Sequence, residues 1–463
     1  MESASLNIPK PIFVLTDIYS DSYTTALNVI QNFHSSNYNN NNNKNINNEK
    51  STMQFLLCGT NDGVINVWSF STYRIQCHIK LAKIAGIDQK DVSRINSIAS
   101  ISNRKILSQL HSPSLLCLFQ FDDGDGDDDD DDDVGDRSKI TNRNIETKVK
   151  LINSWKCYPT TFAKCFRMFN NCFAFLTSTD SDVIQLVNIE LNVNIAALKL
   201  VSVSQEKKVN HGMVMSLQLF TIDTGMVPNF VRSLDQYQEE EALYIIIAYE
   251  DGTIILYRVS LKEKNIQKIY DETRQNSHQL FIAFEISIWK SHPEMVTCMD
   301  FNRQVMRGVS CSVNNEIALW SVNLPEVMLS LNADVLQTEK TGIYEHKRKR
   351  IKLINAGILC CVIRPDGRIF ATGGKDGRVR LFALKSGKPL AILPFHSNAI
   401  ECLYFSPLLA NQSTKNSTEK MDHHQSNKSQ STIISNNNNN KYLLFASSRD
   451  KSISIWSLYN DDQ

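Results

Sequence analysis

Three residues near the end of the chain, His396, Ser448 and Asp450, are of the types that form a Ser–His–Asp triad. Such a triad would catalyse acyl transfer, with serine as nucleophile, histidine as base and aspartate orienting the histidine. The sequence contains no GxSxG turn and no oxyanion loop to complete that chemistry. We therefore favour a structural role for these residues and predict no catalytic residue.

Phosphate and metal chemistry are also poorly represented. The segment GGKDG, residues 373–377, resembles a phosphate loop, but a strand pattern follows it where a phosphate site needs the start of a helix. The 11 cysteines contain no CxxC pair and no recurring ligand spacing, so we interpret them as reduced core residues. We expect no metal, no cofactor and no small-molecule substrate.

The elements around these residues are strands joined by tight turns. Residues 371–384, ATGGKDGRVRLFAL, place a turn before an alternating strand, and residues 445–458, FASSRDKSISIWSL, repeat that shape. Five further copies occur, the one at 109–121 being the weakest. They are residues 58–70, 109–121, 178–189, 248–259 and 312–322.

Glycine in these turns has a defined task. It supplies the positive φ of a two-residue hairpin turn in the pairs Asp62-Gly63, Asp251-Gly252 and Asp376-Gly377. After the third turn, Val379 and Leu381 face one side of the strand and Arg378 and Arg380 the other, which predicts a half-buried strand.

Seven such units, each unable to cover its own apolar faces, predict an all-β fold in which sheets stack radially. We interpret residues 1–463 as a single seven-bladed β-propeller. A strand at about residues 10–18 precedes the first unit, and we expect Ile12 to Leu15 to supply the outer strand of the last blade.

Three low-complexity segments, 35–50, 122–143 and 411–440, interrupt the repeats, and we expect them to be disordered loop insertions. The acidic tract at 122–136 lies in the second. It would contact basic proteins or be a solvated insertion, and we favour the insertion.

The basic run EHKRKRIK, residues 345–352, has two interpretations that stay open. It would be a nuclear import signal or contact for an acidic partner, or a solvated loop between blades five and six. Elsewhere, no apolar stretch reaches the roughly 20 residues of a membrane-spanning helix, and the first residues lack the pattern of a secretory signal.

The repeats resemble those of WD40 proteins, although Trp68, Trp320 and Trp456 are each followed by serine and not by aspartate. Residues 356–407 and 443–459 are similar to the last two blades of the ASTRA-associated protein 1 family and its animal G-protein-β-like relatives. The segments 11–15 and 55–74 resemble the first blade of that family. In WD40 blades, residues at the positions of His396, Ser448, Asp450 and Trp456 form a hydrogen-bonded chain.

The resemblance implies a non-catalytic scaffold subunit of the ASTRA complex, linked to chromatin remodelling and to maturation of phosphatidylinositol-3-kinase-related kinases. It implies protein partners, namely ASTRA subunits and a kinase-maturation chaperone assembly, and a nuclear location with the cytoplasm as a second compartment. Direct nucleic-acid and membrane contacts are not expected. The alternative is a G-protein-β-like signalling adaptor, which would need a helical amino-terminal segment; Pro9, Pro11 and the absence of heptads before residue 20 argue against one.

Overall fold

The part of the chain that the computed structural model describes is interrupted by gaps. The three predicted insertions, 35–50, 122–143 and 411–440, lie outside it. It comprises residues 10–16, 21–31, 54–70, 72–88, 91, 93–102, 104–121, 149–159, 162–167, 172–178, 180–189, 192–201, 209–221, 243–260, 280–324, 342–407 and 442–458.

Strands make up nearly all of the regular structure in these ranges. The one helix, α1, spans Leu81–Ala85, and no helix in the described ranges is long and apolar enough to cross a membrane. In chain order the strands are β1 (Phe13–Thr16), β2 (Thr24–Gln31), β3 (Gln54–Thr60), β4 (Val64–Ser69), β5 (Arg74–Lys80), β6 (Ile95–Ser102), β7 (Lys105–Leu110), β8 (Leu115–Phe121), β9 (Val149–Lys156), β10 (Phe166–Arg167), β11 (Cys172–Leu176), β12 (Val183–Asn188), β13 (Val193–Val201), β14 (Val214–Thr221), β15 (Leu243–Tyr249), β16 (Thr253–Ser260), β17 (Leu280–Lys290), β18 (Val296–Asn302), β19 (Arg307–Ser312), β20 (Glu316–Asn323), β21 (Gly342–Lys352), β22 (Ile358–Ile363), β23 (Ile369–Gly374), β24 (Val379–Ala383), β25 (Pro389–Leu393), β26 (Ile400–Pro407), β27 (Tyr442–Ser448) and β28 (Ser452–Leu458).

Hydrogen bonding joins the described strands into six sheets, five of four strands and one of eight. The four-stranded sheets are ordered β2-β3-β4-β5, β6-β7-β8-β9, β18-β19-β20-β21, β22-β23-β24-β25 and β1-β28-β27-β26. The eight-stranded sheet, β10-β11-β12-β13-β17-β16-β15-β14, consists of two antiparallel halves joined by the parallel pair β13 and β17. Nothing in the sequence indicated the parallel pairing of β13 with β17.

Each motif copy identified in the sequence lies on the central hairpin of a four-stranded sheet or of one half of the eight-stranded sheet. A tight turn needs only neighbouring residues, which is why the sequence pattern locates it well. The hairpins are β3–β4, β7–β8, β11–β12, β15–β16, β19–β20, β23–β24 and β27–β28.

The amino-terminal strand belongs to the same sheet as the last strands of the chain. Strand β1 runs antiparallel to β28, with Phe13 opposite Ile455 and Leu15 opposite Ile453. Sequence-distant segments are thus held together by backbone hydrogen bonds, one of which runs from the Ile12 N–H to the Ile455 carbonyl over 2.8 Å.

The sheets follow one another in a closed cycle, in which the inner strands β2, β6, β10, β14, β18, β22 and β26 lie side by side. Contacts join β26 to β2, β2 to β6, β10 to β14, β14 to β18, β18 to β22 and β22 to β26. Between β6 and β10, the Arg167 guanidinium donates to the Ser100 carbonyl over 3.2 Å. The described part of the chain is thus an all-β, propeller-like ring.

The core lies between adjacent sheets, and most strands are covered on both faces. One cluster joins Leu15 of β1 and Leu27 of β2 to Trp68, Phe445 and Ile455. Full burial of each such side chain stabilises the fold by about 1.5–3 kcal/mol. Covering on both faces also corrects the half-buried strand predicted after Gly377, because Arg380 is only 8% exposed.

Two local predictions also differ from the structure. None of the three predicted two-residue turns has that length: three residues separate the strands at Gly63 and Gly252, and four at Gly377. Their glycines have φ of 79°, 90° and 73°. A three-residue loop that ends in a left-handed residue is the other common hairpin form. The basic run 345–352 lies in β21, the edge strand of its sheet, so the loop interpretation is wrong.

Candidate functional site

The residues proposed from the sequence as a network meet at the turn between β27 and β28. His396, in the segment before β26, contacts Asp450 of that turn, with 2.9 Å between Nδ1 and Oδ2. Its Nε2 lies 2.7 Å from the Ser454 hydroxyl, and the Trp456 indole N–H donates to the same hydroxyl over 2.8 Å. We call these four residues together with Ser452 the turn network.

Ser448, which the prediction also placed in the network, bonds to Asp450 and to the segment before β26 but does not contact His396. Its hydroxyl donates to the Asn398 carbonyl over 2.9 Å and accepts the Asp450 N–H over 3.2 Å, so that it holds the turn from the other side. Ser452 and Ser454 were missed. Because side chains of a strand alternate, both lie on the face of Trp456, and counting back by two from the tryptophan would have found them.

The geometry resembles a catalytic triad, but a substrate cannot reach its serine. The Ser454 oxygen accepts the Trp456 indole N–H, so the hydrogen-bond pattern assigns the Ser454 hydroxyl as donor to His396 Nε2. The other ring nitrogen, Nδ1, then carries the imidazole proton and donates it to the Asp450 carboxylate. Ser454 is 0% exposed, and one of its lone pairs is occupied by Trp456. A nucleophile needs access to its substrate, so the turn network can fix a loop but cannot attack a carbonyl group.

Asp450 carries the negative charge of the turn network. Burial opposes its ionisation, but hydrogen bonds from His396 and Ser452 outweigh that effect and hold the pKa of the Asp450 carboxyl well below its usual value. Its second oxygen accepts the Ser452 N–H over 3.0 Å and the Ser452 hydroxyl over 2.6 Å. The carboxylate is thereby held in its charged form at neutral pH.

In other sheets, the aspartate of the corresponding turn accepts hydrogen bonds from different donors. Asp251 contacts His211 over 2.9 Å and accepts the Thr253 hydroxyl over 2.9 Å, and these bonds lower the pKa of Asp251 although its burial opposes ionisation. Asp376 instead accepts from Arg380 on its own hairpin, over 3.1 Å. The recurring aspartate therefore restrains a turn, whichever donor reaches it.

Asp62 and Gly63 occupy the corresponding turn between β3 and β4. The Asp62 carboxylate accepts the Ser22 hydroxyl and the Thr60 hydroxyl, each over 2.5 Å. Ser22 belongs to the segment before β2, so this aspartate also ties an incoming loop to a turn.

The glycines of the other two predicted turns face a backbone that passes very close to them. Gly252 has φ of 90°, and a Cβ placed there would lie 2.3 Å from the His292 carbonyl oxygen. Gly377 has φ of 73°, and its Cβ would lie 2.3 Å from the His396 carbonyl oxygen. Both positions therefore require glycine for conformation and for space.

The inner strands line a cavity of about 790 Å³, which we call the central cavity. Its wall carries Arg94, Lys164, Glu401 and Arg449. Glu401 is buried between the two arginines, at 3.1 Å from Arg94 and in contact with Arg449. This pairing satisfies a carboxylate that would otherwise be costly to bury.

Three cysteine side chains also come together beside the central cavity. The Sγ atoms of Cys298, Cys311 and Cys361 all lie within 4.8 Å of one another, and we call them the thiol cluster. Burial raises the pKa of Cys311, whereas hydrogen bonds to the other two thiols raise that of Cys361. Burial opposes ionisation of Cys298 as well, but the same hydrogen bonds hold its pKa well below the ordinary value. The sequence spacing of 298, 311 and 361 gave no sign of this cluster.

Comparison with known proteins agrees with the repeat pattern. Residues 349–382, which include β22, β23 and most of β24, match the family model "WD domain, G-beta repeat". Among solved structures, Raptor from Chaetomium thermophilum superposes on 98% of this chain with a TM-score of 0.52 and 12% sequence identity. The chain spans 29% of that protein, and the likeness concerns the fold alone.

Two curated relatives extend beyond a single repeat. The mouse protein "Guanine nucleotide-binding protein subunit beta-like protein 1" is 24% identical over 87% of each chain. "ASTRA-associated protein 1" of Aspergillus niger is 25% identical over 56% of each chain, and the same name recurs for several other fungal relatives. The resemblance inferred from the first and last blades is thereby confirmed: the chain is similar to fungal proteins named ASTRA-associated protein 1 and to a G-protein-β-like relative.

Proposed function

We propose that the ring has seven blades. Each four-stranded sheet is one blade, and each half of the eight-stranded sheet, β10–β13 and β14–β17, is another. Their inner strands, β10 and β14, contact each other as the inner strands of neighbouring sheets do elsewhere in the ring. On this proposal β13 and β17 are the outer strands of adjacent blades that meet at the rim.

We further propose that the chain is a non-catalytic scaffold subunit of the ASTRA complex, acting in chromatin remodelling and in maturation of phosphatidylinositol-3-kinase-related kinases. The observation that carries this is the repeated similarity to relatives named ASTRA-associated protein 1, over about half of the chain. The geometry agrees, because Ser454, the serine of the triad-like arrangement described above, is buried in β28.

Protein partners are the ligands proposed for this scaffold, and the nucleus, with the cytoplasm as a second compartment, is its proposed location. Direct binding of nucleic acid, membrane or a small-molecule substrate does not belong to the proposal. The basic strand β21 is consistent with an import signal only if its Lys and Arg side chains can be reached, and Arg350 is exposed.

Affinity purification tests this function. The tagged full-length chain is expressed at native level, and co-purifying proteins are identified by mass spectrometry, with Gly377→Ala as a matched variant whose fold is weakened. We expect to recover ASTRA and kinase-maturation subunits with the parent chain. The recovered amount of these subunits should be lower with the variant. Absence of those subunits in nuclear and cytoplasmic fractions would contradict the proposal.

The G-protein-β-like signalling adaptor remains the second candidate, favoured by the alignment with the mouse relative over 87% of each chain. In the described region the amino-terminal element is a strand, β1, paired within the ring. Co-purification of a γ-like subunit in the same experiment would favour the adaptor over the scaffold.

A further inference from the structure

The thiol cluster arises from the register of two strands and the approach of a third. Cys298 of β18 lies directly opposite Cys311 of β19 in the antiparallel ladder, so their side chains share one face. Cys361 comes from β22, the inner strand of the next sheet, which packs against β18. Three residues that are far apart in sequence are therefore brought together at a seam between two sheets.

The surroundings favour a defined geometry for these thiols. Cys311 is fully buried and Cys298 and Cys361 are half-buried, packed with Val309, Ile317 and other apolar side chains of both sheets. All three are free thiols. Rigid strands hold all three, as a preformed metal site requires.

We propose that Cys298, Cys311 and Cys361 bind one soft, thiophilic metal ion, for which Zn²⁺ is the best fit. With Zn–S bonds of about 2.3 Å, tetrahedral ligand sulfurs lie about 3.8 Å apart. The thiols, within 4.8 Å of one another, need only small side-chain rotations to reach that distance. Soft thiolate sets select Zn²⁺ or Cu⁺ over hard ions such as Mg²⁺.

The fourth coordination position of the metal would be open. Cys298 and Cys361 line the central cavity, from which water can approach the metal. Asp300 lies two residues after Cys298, but its oxygens accept the Ile363 N–H over 2.7 Å and the Phe301 N–H over 2.9 Å. Among the described residues, no histidine or carboxylate joins the three sulfurs within ligand distance.

Charge distinguishes the two candidate ions. Three thiolates leave a net charge of about −1 around Zn²⁺ and about −2 around Cu⁺, following the ligand charges of such sites. Lys164 and Cys298 both line the central cavity. One lysine offsets the excess charge of a zinc site, whereas a cuprous site would keep a net negative charge beside Asp300.

The full-length chain, purified under reducing conditions, is the material for the test. It is incubated with Zn²⁺ alone or with Cu⁺ alone, freed of unbound metal, and its metal content is measured by mass spectrometry. One equivalent per chain is expected, with tighter binding of Zn²⁺ in competition with a chromogenic chelator. Cys298→Ser, Cys311→Ser and Cys361→Ser should each lower the affinity at least tenfold.

Cys360→Ser is the matched control. Cys360 neighbours Cys361 in β22, but its thiol points to the Ile400 carbonyl, 3.8 Å away, and outside the cluster. This variant should keep the metal. Equal binding by all four variants, or less than a tenth of an equivalent in the parent chain with either ion, would overturn the proposal.

A second readout uses the parent chain and does not depend on whether the variants fold. Native alkylation followed by peptide mapping should show that bound metal protects Cys298 and Cys361, the half-buried members of the cluster, while leaving Cys165 unchanged. Cys165 also lines the central cavity but contacts Ser97 instead. Modification of Cys298 and Cys361 at the same rate with and without metal would exclude coordination. The inference does not rest on the proposed function.

Discussion

Ala318 lies two residues before Trp320 on β20, at the position that Ser454 has relative to Trp456 on β28. The Trp320 indole N–H is buried without a hydrogen-bond partner among the described residues. The structure thus shows one tryptophan with its hydroxyl acceptor and one without it. His292, which precedes β18 as His396 precedes β26, contacts Ser310 instead, over 2.9 Å.

Ala318→Ser should stabilise the protein. The new hydroxyl would accept the Trp320 N–H, and an unpaired buried donor costs about 1–3 kcal/mol. We expect a gain of about 1 kcal/mol in the free energy of unfolding, measured by urea denaturation. Ala248→Ser, in the same core cluster, is the control and should be destabilising. The gain should vanish in a chain that also carries Trp320→Phe; a gain that persists there would show another cause.

Asp450→Asn should alter the response to acid. The folded-state pKa of Asp450 is lowered, so its contribution to stability is complete above the unfolded value of about 4 and is lost as pH falls below it. The substitution should cost about 1.5–3 kcal/mol at pH 7, the usual value for hydrogen bonds to a charged group, and progressively less as pH falls from about 4 toward the lowered folded-state pKa. Urea midpoints across pH 2–7 measure this. A cost independent of pH would show that the charge of Asp450 is unimportant.

Two alanine variants, Gly377→Ala and Gly86→Ala, distinguish the cost of backbone strain from the cost of a steric clash. Both residues have positive φ, but a Cβ at Gly86 meets nothing within 4 Å, whereas at Gly377 it would lie 2.3 Å from a carbonyl oxygen. Gly86→Ala should cost about 1–2 kcal/mol from backbone strain alone. Gly377→Ala should cost about 1–3 kcal/mol more, because the backbone must shift. Equal thermal unfolding of the two variants would contradict the close approach.

Leu15→Ala should show how strongly the amino-terminal strand closes the ring. Leu15 is 4% exposed and packs with Leu27, Trp68 and Phe445, so its truncation should cost about 2–5 kcal/mol. Val14 of the same strand is 39% exposed, and Val14→Ala should cost far less. Differential scanning calorimetry measures both. Similar small losses would mean that β1 contributes little to the ring.

The sequence was most informative where structure depends on neighbouring residues. Alternation and Asp-Gly pairs located the central hairpins, including β3–β4 and β15–β16, because a tight turn and the strands beside it are local features. Glycine at 63, 252 and 377 does adopt positive φ. The exposure of Arg380 was misjudged because alternation alone does not show that its guanidinium turns back to the Asp376 carboxylate of its own hairpin.

Contacts between residues far apart in the sequence could not be predicted in this way. Ser448 and Ser454 are both serines of the last hairpin, and only the position of His396 decides which one it meets. The cysteines gave no spacing signal because Cys298 and Cys361 meet across a seam between sheets. One of the two interpretations of residues 345–352 placed them in a loop, whereas the backbone there forms β21, the edge strand of its sheet.

The parallel pairing of β13 with β17 has a consequence for how other chains can add to the rim. An outer strand with free N–H and C=O groups is a template for β-augmentation and for edge-to-edge aggregation. Here two such edges occupy each other, with Ala197 opposite Leu280 and Val201 opposite Phe284. An extended segment of another protein would therefore have to add elsewhere, beside β5, β9, β21, β25 or β1, which leaves this sector of the perimeter to recognition by side chains.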